Sequence, residues 1–300
     1  MKKFFPGVLL AIIAMSLAVT DAEAQRFTKR RHYSAVTVGL NAMNYFGDIV
    51  PEADFTSLRL KSTRPNLSIA YTRRFHPRIS VRGGFAWGRI TGDDAKSASL
   101  NEAENVPRFM RNLSFRNDIK ELSFVGIVDL FENRSSYFRR PDFAPYGFVG
   151  VALFHHNPKA LYNGTYVALQ PLGTEGQQSP NRANEGYPEP YSKVQIAIPF
   201  GLGVKYKLDR HWDLGFEFGM RKTFFDYLDD VSGEYAAPED LPGLAGELAN
   251  RNDESGLPNP YNHGVKGFQR GDKTDDDWYV VTGLNLTYIL TPNLRGPKFR

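Results

Sequence analysis

Val194–Leu208 (VQIAIPFGLGVKYKL) and Trp212–Lys222 (WDLGFEFGMRK) alternate strictly between apolar residues and polar or small residues. A β-strand turns successive side chains to opposite faces, so each stretch predicts a strand with one apolar and one polar face. Strands in soluble sandwiches run about 5–6 residues, and their apolar faces meet in a core. Stretches of 15 and 11 residues, with Asp213, Glu217 and Arg221 on one face, favour a membrane barrel with lipid outside.

The same alternation recurs in six further segments of the chain. They are Ala35–Tyr45, Asn66–Phe75, Arg78–Ile90, Arg116–Phe131, Pro145–His155 and Trp278–Leu290. Because lipid cannot satisfy an open sheet edge, the eight strands must close on themselves. The sequence thus predicts an all-β fold, an eight-stranded antiparallel transmembrane β-barrel over residues 34–290. In the fifth segment, Val149 and Val151 compete with Phe148 and Phe154 for the apolar face, which leaves its register open.

The links between these strands differ in length in a regular way. Phe75–Arg78 and Leu208–His211 are tight turns, and Glu132–Ala144 is of intermediate length. The long links lie near 46–65, 91–115, 156–192 and 225–276. Alternation of short and long links predicts short periplasmic turns and long extracellular loops.

The first 24 residues have the pattern of a secretory signal peptide. Lys2 and Lys3 form a charged start, Val8–Val19 is a short apolar run, and Ala22–Ala24 supplies a small-x-small cleavage site. A secreted barrel of this type is expected in the cell outer membrane.

Basic residues gather at both ends of the mature chain. We expect residues 25–33 to form a basic periplasmic N-terminal segment and residues 291–300 a basic periplasmic tail. The residues expected to face a partner are Arg30, Arg31, Arg295 and Lys298. The alternative interpretation is that both basic ends are simply exposed to solvent and contact no partner.

Composition excludes several classes of function. The chain has no cysteine, so disulfides and thiol chemistry are excluded. Its net charge of +4 comes without a basic stripe or a nucleic-acid motif. It also lacks the G-x-S-x-G, H-E-x-x-H and P-loop signatures. We therefore expect no enzyme activity, no cofactor, no nucleic-acid partner and no small-molecule substrate.

Two clusters raise the question of a metal site. Asp226, Asp229 and Asp230 offer oxygens to a hard cation, but their spacing does not match an EF-hand loop. His155 and His156 lack a third ligand at a suitable spacing for zinc. We expect no metal site, and we interpret both clusters as residues at the outer rim of the barrel.

Charged residues with inward parity are expected to fill the lumen, because eight strands leave room only for side chains. Buried charges need partners, so these residues predict a structural network of ion pairs rather than an ion path. The set comprises Arg74, Arg82, Glu121, Asp129, Lys205, Asp213, Glu217 and Arg221. Aromatic residues of outward parity near strand ends predict interfacial belts. They are Trp87, Tyr206, Trp212, Trp278 and Tyr288.

An ordered series of motifs along the mature chain resembles a known family. The motifs are Asn44–Asp48 (NYFGD), Arg111–Arg116 (RNLSFR), Glu121, Pro145–Gly150 (PYGFVG), Phe154–Lys159 (FHHNPK), Ile198–Tyr206 (IPFGLGVKY) and Thr223–Ser232 (TFFDYLDDVS). Together they resemble the PorG-type outer-membrane barrels associated with type IX secretion and gliding motility. This resemblance implies a non-enzymatic component that works with a periplasmic ring formed by a lipoprotein and its partner.

Two functional hypotheses follow. The first is an outer-membrane anchor or scaffold of a type IX-like protein-secretion machinery, with outer-membrane lipid and periplasmic ring proteins as partners. The second is a surface adhesion or ligand-binding barrel that acts through the long loops 156–192 and 225–276.

Overall fold

The computed structural model describes residues 32–50, 62–98 and 105–291. Eight long strands form the wall of a barrel: β1 Tyr33–Phe46, β2 Arg64–Arg74, β3 Ile79–Asp93, β4 Ser114–Asp129, β5 Phe143–His155, β8 Val194–Lys207, β9 Trp212–Thr223 and β10 Trp278–Leu290. Two short strands, β6 Pro158–Tyr162 and β7 Thr165–Ala168, form a hairpin outside the wall.

The sheet closes because β1 pairs with both β2 and β10, while β3 pairs with both β2 and β4. Every pairing in the wall is antiparallel. Across the β1–β10 seam, the hydroxyls of Thr37 and Thr287 lie 2.8 Å apart inside the barrel. Closure satisfies the backbone of each wall strand within the sheet, as lipid requires. The predicted eight-stranded antiparallel barrel is confirmed.

The outward face of the wall is apolar around the whole circumference. Leu202 is 70% exposed, Leu40 is 65% exposed and Leu122 is 61% exposed, and every wall strand contributes exposed apolar side chains. An apolar surface this large is solvated by lipid, since in water it would drive aggregation. The chain therefore forms a transmembrane β-barrel. No helix among the described residues is long and apolar enough to cross a membrane.

The structure fixes the register of β5, which the sequence left open. Val149 and Val151 face outward, whereas Phe148 and Phe154 are buried inside the barrel. A Cβ atom on Gly219 would lie only 2.8 Å from the Phe148 ring. The inward phenylalanine therefore depends on a glycine two strands away in the wall.

The two ends of the barrel differ. The turn end carries the short links 75–78, 130–142 and 208–211. A 3-10 helix, Tyr137–Arg139, lies in the intermediate link predicted over Glu132–Ala144. The loop end carries the four long links, as predicted. These loops contain α1 Asp94–Ser97, α2 Val106–Arg111, α3 Arg182–Glu185, α4 Leu244–Ala249 and the 3-10 turns Pro238–Asp240 and Asn252–Ser255.

Residues 156–193 and 224–277 pack together over the loop end, and we call them the cap. The cap has small apolar cores of its own. In one, Leu241 and Ala245 are buried against Tyr187. In the other, Leu248 of α4 packs on the β6–β7 hairpin. The predicted long loops are therefore a folded layer.

Several sequence predictions lie outside the described residues. These are the signal peptide 1–24, most of the basic segment 25–33, the tail beyond residue 291, and the partner-facing residues Arg30, Arg31, Arg295 and Lys298.

The lipid-facing wall generates a first prediction. Leu202 lies near the middle of β8, so Leu202→Arg should lower the free energy of unfolding by about 2–4 kcal/mol in phospholipid vesicles. Leu208→Arg, one residue beyond the turn end of β8, is the matched control, and its cost should be about 0–1 kcal/mol. Denaturant titration measures both values. Equal losses in the two variants would contradict the assignment of the lipid-facing band.

Candidate functional site

The charged residues predicted for the lumen all lie at inward-facing positions. Each of them has an oppositely charged partner within the described part of the barrel. The set is Arg74, Arg82, Glu121, Asp129, Lys205, Asp213, Glu217 and Arg221. The period-two pattern places them there, because the opposite face of each strand meets lipid.

Asp129, the last residue of β4, accepts contacts from two cations at the turn end of the lumen. Arg74 Nη1 lies 2.5 Å from Asp129 Oδ2, and Lys205 Nζ lies 3.4 Å from Asp129 Oδ1. The Lys205 ammonium also lies 4.3 Å from the centre of the Tyr146 ring. The Tyr146 hydroxyl donates a hydrogen bond to Glu217. These contacts join five strands around the lumen.

Two further ion pairs cross the barrel nearer its middle and its loop end. Arg82 on β3 pairs with Glu217 on β9 through both terminal guanidinium nitrogens, Nη1 and Nη2. Glu121 on β4 accepts from Arg221 Nε at 3.3 Å and from the Tyr279 hydroxyl at 2.8 Å. Opposite walls of the barrel are thus tied to each other through side chains.

Asp213 is paired with a residue that the sequence analysis missed. Arg140 lies in the link 130–142, and its Nη2 is 2.6 Å from Asp213 Oδ1. The same guanidinium donates to the backbone carbonyls of Tyr137, Asp209 and Trp212 at 2.7, 2.9 and 3.1 Å. Arg140 lies on no strand, so strand periodicity carries no signal for it. It fastens two turns to the lumen.

Little space remains inside the barrel. Two cavities lie there, of about 40 and 20 Å³, and Arg74, Lys205 and Asp213 line both of them. A buried water needs roughly 10–15 Å³ measured in this way, so these cavities admit a few waters at most. In the described part of the chain, the lumen is a packed polar core.

The five predicted belt aromatics point away from the lumen. Tyr206, Trp212 and Tyr288 lie at the turn end, where the Trp212 and Tyr288 ring centres are 4.9 Å apart. Trp87 and Trp278 lie toward the loop end, and Trp278 stacks at 4.4 Å on the last residue of β1. These positions suit the two interfaces of a bilayer.

The cap covers the acidic cluster that the sequence places at the outer rim of the barrel. Asp226, Asp229 and Asp230 are only 8%, 1% and 0% exposed. Asp230 accepts hydrogen bonds from Thr174 at 2.6 Å and Tyr191 at 2.5 Å. These residues follow the loop end of β9, where the rim interpretation puts them, but the cap folds over them and buries them.

One of the two histidines is likewise buried rather than exposed at the rim. His155 is exposed at the end of β5, but His156 is fully buried. The His156 ring stacks on Tyr191 at 5.7 Å and meets the Phe225 ring edge-on at 4.9 Å. Burial lowers the pKa of His156 to about 4, so it is neutral at ordinary pH. Among the described residues, no group of three or more acidic or histidine side chains is arranged to hold a metal ion.

Two buried arginines fasten the cap and were not predicted. Arg270 Nη1 lies 2.8 Å from Glu175 Oε1, and both side chains are nearly inaccessible. Arg111 of α2 pairs with Asp94 of α1 at 2.8 Å and donates to the Arg270 carbonyl at 2.5 Å. The arginines thus connect the loop between β3 and β4 with the cap.

Burial also raises the pKa of the carboxyl groups beneath the cap. It raises the pKa of Asp48 to about 7, and the negative charge of Asp229 adds to the shift. The pKa of Asp229 is likewise raised to about 7 and that of Asp230 to about 6, both through burial. The pKa of Asp226 rises to about 9, because burial outweighs the neighbouring Ser232 side chain. This region holds protons at pH values where exposed acids are ionised.

Comparison with known proteins identifies the family. A family model described as a domain of unknown function, DUF6089, matches residues 9–254. The chain belongs to the DUF6089 family. No curated protein matches this DUF6089 chain.

Several solved structures are similar to the DUF6089 barrel at low sequence identity. OprG, an outer-membrane protein of Pseudomonas aeruginosa, is 13% identical with a TM-score of 0.40, and the match covers 89% of this chain and 99% of that one. Ail, the attachment invasion locus protein of Yersinia pestis, is 10% identical with a TM-score of 0.39, covering 87% and 99%. Neisserial surface protein A is 8% identical with a TM-score of 0.34, covering 86% and 95%.

The Arg140–Asp213 pair generates a second prediction. Arg140→Met leaves a buried carboxylate without its cation, so the free energy of unfolding should fall by about 3–5 kcal/mol. Adding Asp213→Asn should recover part of this loss, because the neutral amide no longer carries an unpaired charge. Arg134→Met, on the same link but exposed, is the matched control and should stay within about 0.5 kcal/mol of wild type. An Arg140→Met barrel as stable as the control would show that the pair does not hold the turn end.

Proposed function

We propose that this DUF6089 barrel is a non-enzymatic anchor and scaffold in the outer membrane, serving a protein-secretion machinery of the type IX kind. The observation that carries the proposal is the lumen, where every predicted charge has an oppositely charged partner. A filled lumen suits a fixed element better than a pore. The motif resemblance to PorG-type barrels supplies the link to secretion.

The orientation of the barrel determines which surface meets the machinery. Short links at one end and long loops at the other are typical of outer-membrane barrels whose turns face the periplasm. In this orientation the turn end, together with the basic termini, faces the periplasmic ring. The cap then faces the cell exterior, and outer-membrane lipid surrounds the wall.

The turn end has properties that suit a docking surface. Arg140 fixes the link 130–142 in place from within the lumen. On the same link, Phe138, Arg139 and Arg134 are exposed. An exposed aromatic ring among arginines is the composition that protein interfaces favour. Because its conformation is already fixed, the link loses little entropy when a partner binds.

A crosslinking experiment in the source bacterium tests this role. A photoreactive amino acid in place of Arg139 should crosslink to the ring lipoprotein or its partner, since this side chain projects from the turn end. The same amino acid in place of Asp253, on the cap, is the matched control and should capture neither ring protein. A clean deletion of the gene should abolish export of type IX cargo. Normal export in the deletion strain would contradict the secretion role while leaving the barrel itself unaffected.

A second candidate function is favoured by the cap. Tyr261, Val265 and Phe268 have exposed side chains on a cap loop whose backbone is hydrogen-bonded from Phe268 N–H to the Val265 carbonyl and from Tyr235 N–H to the Phe268 carbonyl. A folded layer with exposed apolar side chains suits surface adhesion or ligand binding. Replacing these three residues with serine would remove such binding and leave cargo export intact. The anchor hypothesis predicts no phenotype for the same replacement.

A further inference from the structure

The floor of the cap contains a hydroxyl group shared by two carboxyl groups. The Tyr45 hydroxyl lies 2.7 Å from Asp229 Oδ2 and 2.6 Å from Asp277 Oδ1. A phenol has one proton and can donate to only one of them. The other contact is a hydrogen bond only if that carboxyl group is protonated and donates to the phenol oxygen. Two contacts this short favour a proton on Asp229 or Asp277.

The same two carboxyl groups hold the cap to the barrel. Asp277 immediately precedes β10, and its Oδ2 accepts from the Leu228 backbone N–H at 2.7 Å. Asp229 Oδ1 accepts from the Val231 backbone N–H at 2.9 Å. The cap segment 228–231 is thereby fastened to the ends of β1 and β10. Both carboxyl groups are almost completely buried, so water does not compete for these bonds.

A second, independent observation indicates protonation in the same place. Asp226 is more than nine-tenths buried, and apart from the neighbouring Ser232 side chain neither of its oxygens has a hydrogen-bond partner among the described residues. Asp48 Oδ2 is also buried and unpartnered there. Asp226 faces Asp48, Asp229 and Glu175, which oppose its ionisation. A buried carboxyl group in such surroundings takes up a proton rather than remain charged.

The cations around this cluster are already engaged. Arg270 is paired with Glu175, and Arg111 is paired with Asp94. Both guanidinium groups favour the ionised form of Asp229, but burial outweighs them. Among the described residues, no group of three or more acidic or histidine side chains is arranged to hold a metal ion there.

We propose that Asp229 and Asp277 share a proton through Tyr45, and that this shared proton is a pH-sensitive lock that holds the cap on the barrel. When the proton leaves, two carboxylates face one phenol oxygen. Their repulsion weakens the hold on segment 228–231. The wall and its lumen ion pairs stay intact, and the cap loosens from the loop end.

The direction of the pH dependence follows from the raised pKa values. Burial raises the pKa of Asp277 well above its usual range, as it raises the pKa of Asp229 to about 7. The closed cap therefore binds more protons than the open cap from about pH 4, the ordinary aspartate value, up to at least pH 7, the value to which the pKa of Asp229 is raised. Its stability is fully present below this window and is lost as the pH rises through it.

Hydrogen exchange on the full-length barrel in phospholipid vesicles tests the lock. After correction for the intrinsic exchange rate, protection of segment 228–231 should fall by about tenfold per pH unit and per proton within the window. Measurements at pH 5 and pH 8 cover most of the change in protection. The strands β1 and β10 should stay protected at both values. Equal protection of the segment at both pH values would overturn the proposal.

The variant Asp229→Asn tests whether a proton on Asp229 causes the pH dependence of the protection. Its amide oxygen can accept from Val231, and its NH₂ group can donate to Tyr45 without titrating. This variant should keep the segment protected at pH 8. Asp253→Asn, an exposed acid of the same cap, is the matched control and should keep the wild-type pH dependence. Two results would overturn the proposal: a wild-type pH dependence in Asp229→Asn, or loss of protection at pH 5 on adding a divalent-cation chelator.

Discussion

Lipid offers no hydrogen bonds to a polypeptide backbone, and the rest of this structure depends on that constraint. A sheet in lipid must close, and closing eight strands leaves a lumen only as wide as its own side chains. Every polar group turned away from lipid then needs a partner inside. The Arg82–Glu217 pair and the contacts of Asp129 with Arg74 and Lys205 meet that need.

The network of paired charges extends to both ends of the barrel. At the turn end, Arg140 carries it from Asp213 into the backbone of two links. At the loop end, Tyr279 bonds Glu121 and lies opposite Tyr45 in the β1–β10 register. The Tyr45 hydroxyl continues the network into the floor of the cap. The lumen therefore organises both surfaces on which a partner could dock.

The wall could be predicted from the sequence because its pattern is local. Alternation with period two places Glu217 inward and Leu202 outward without knowledge of any neighbour. The register of β5 required the structure, since Phe148 is accommodated by a glycine two strands away. The burial of Asp229 and His156 was missed for a related reason. It arises from links distant in sequence that pack over them, and acidic composition alone indicates solvent exposure.

Ion conductance across a planar lipid bilayer tests most directly whether paired side chains close the lumen. Purified wild-type barrel, inserted at neutral pH and moderate salt, should give no steady unitary currents, because the cavities inside hold only a few waters. Sustained ohmic single-channel currents from the same preparation would contradict a filled lumen, and with it the basis for an anchor and scaffold.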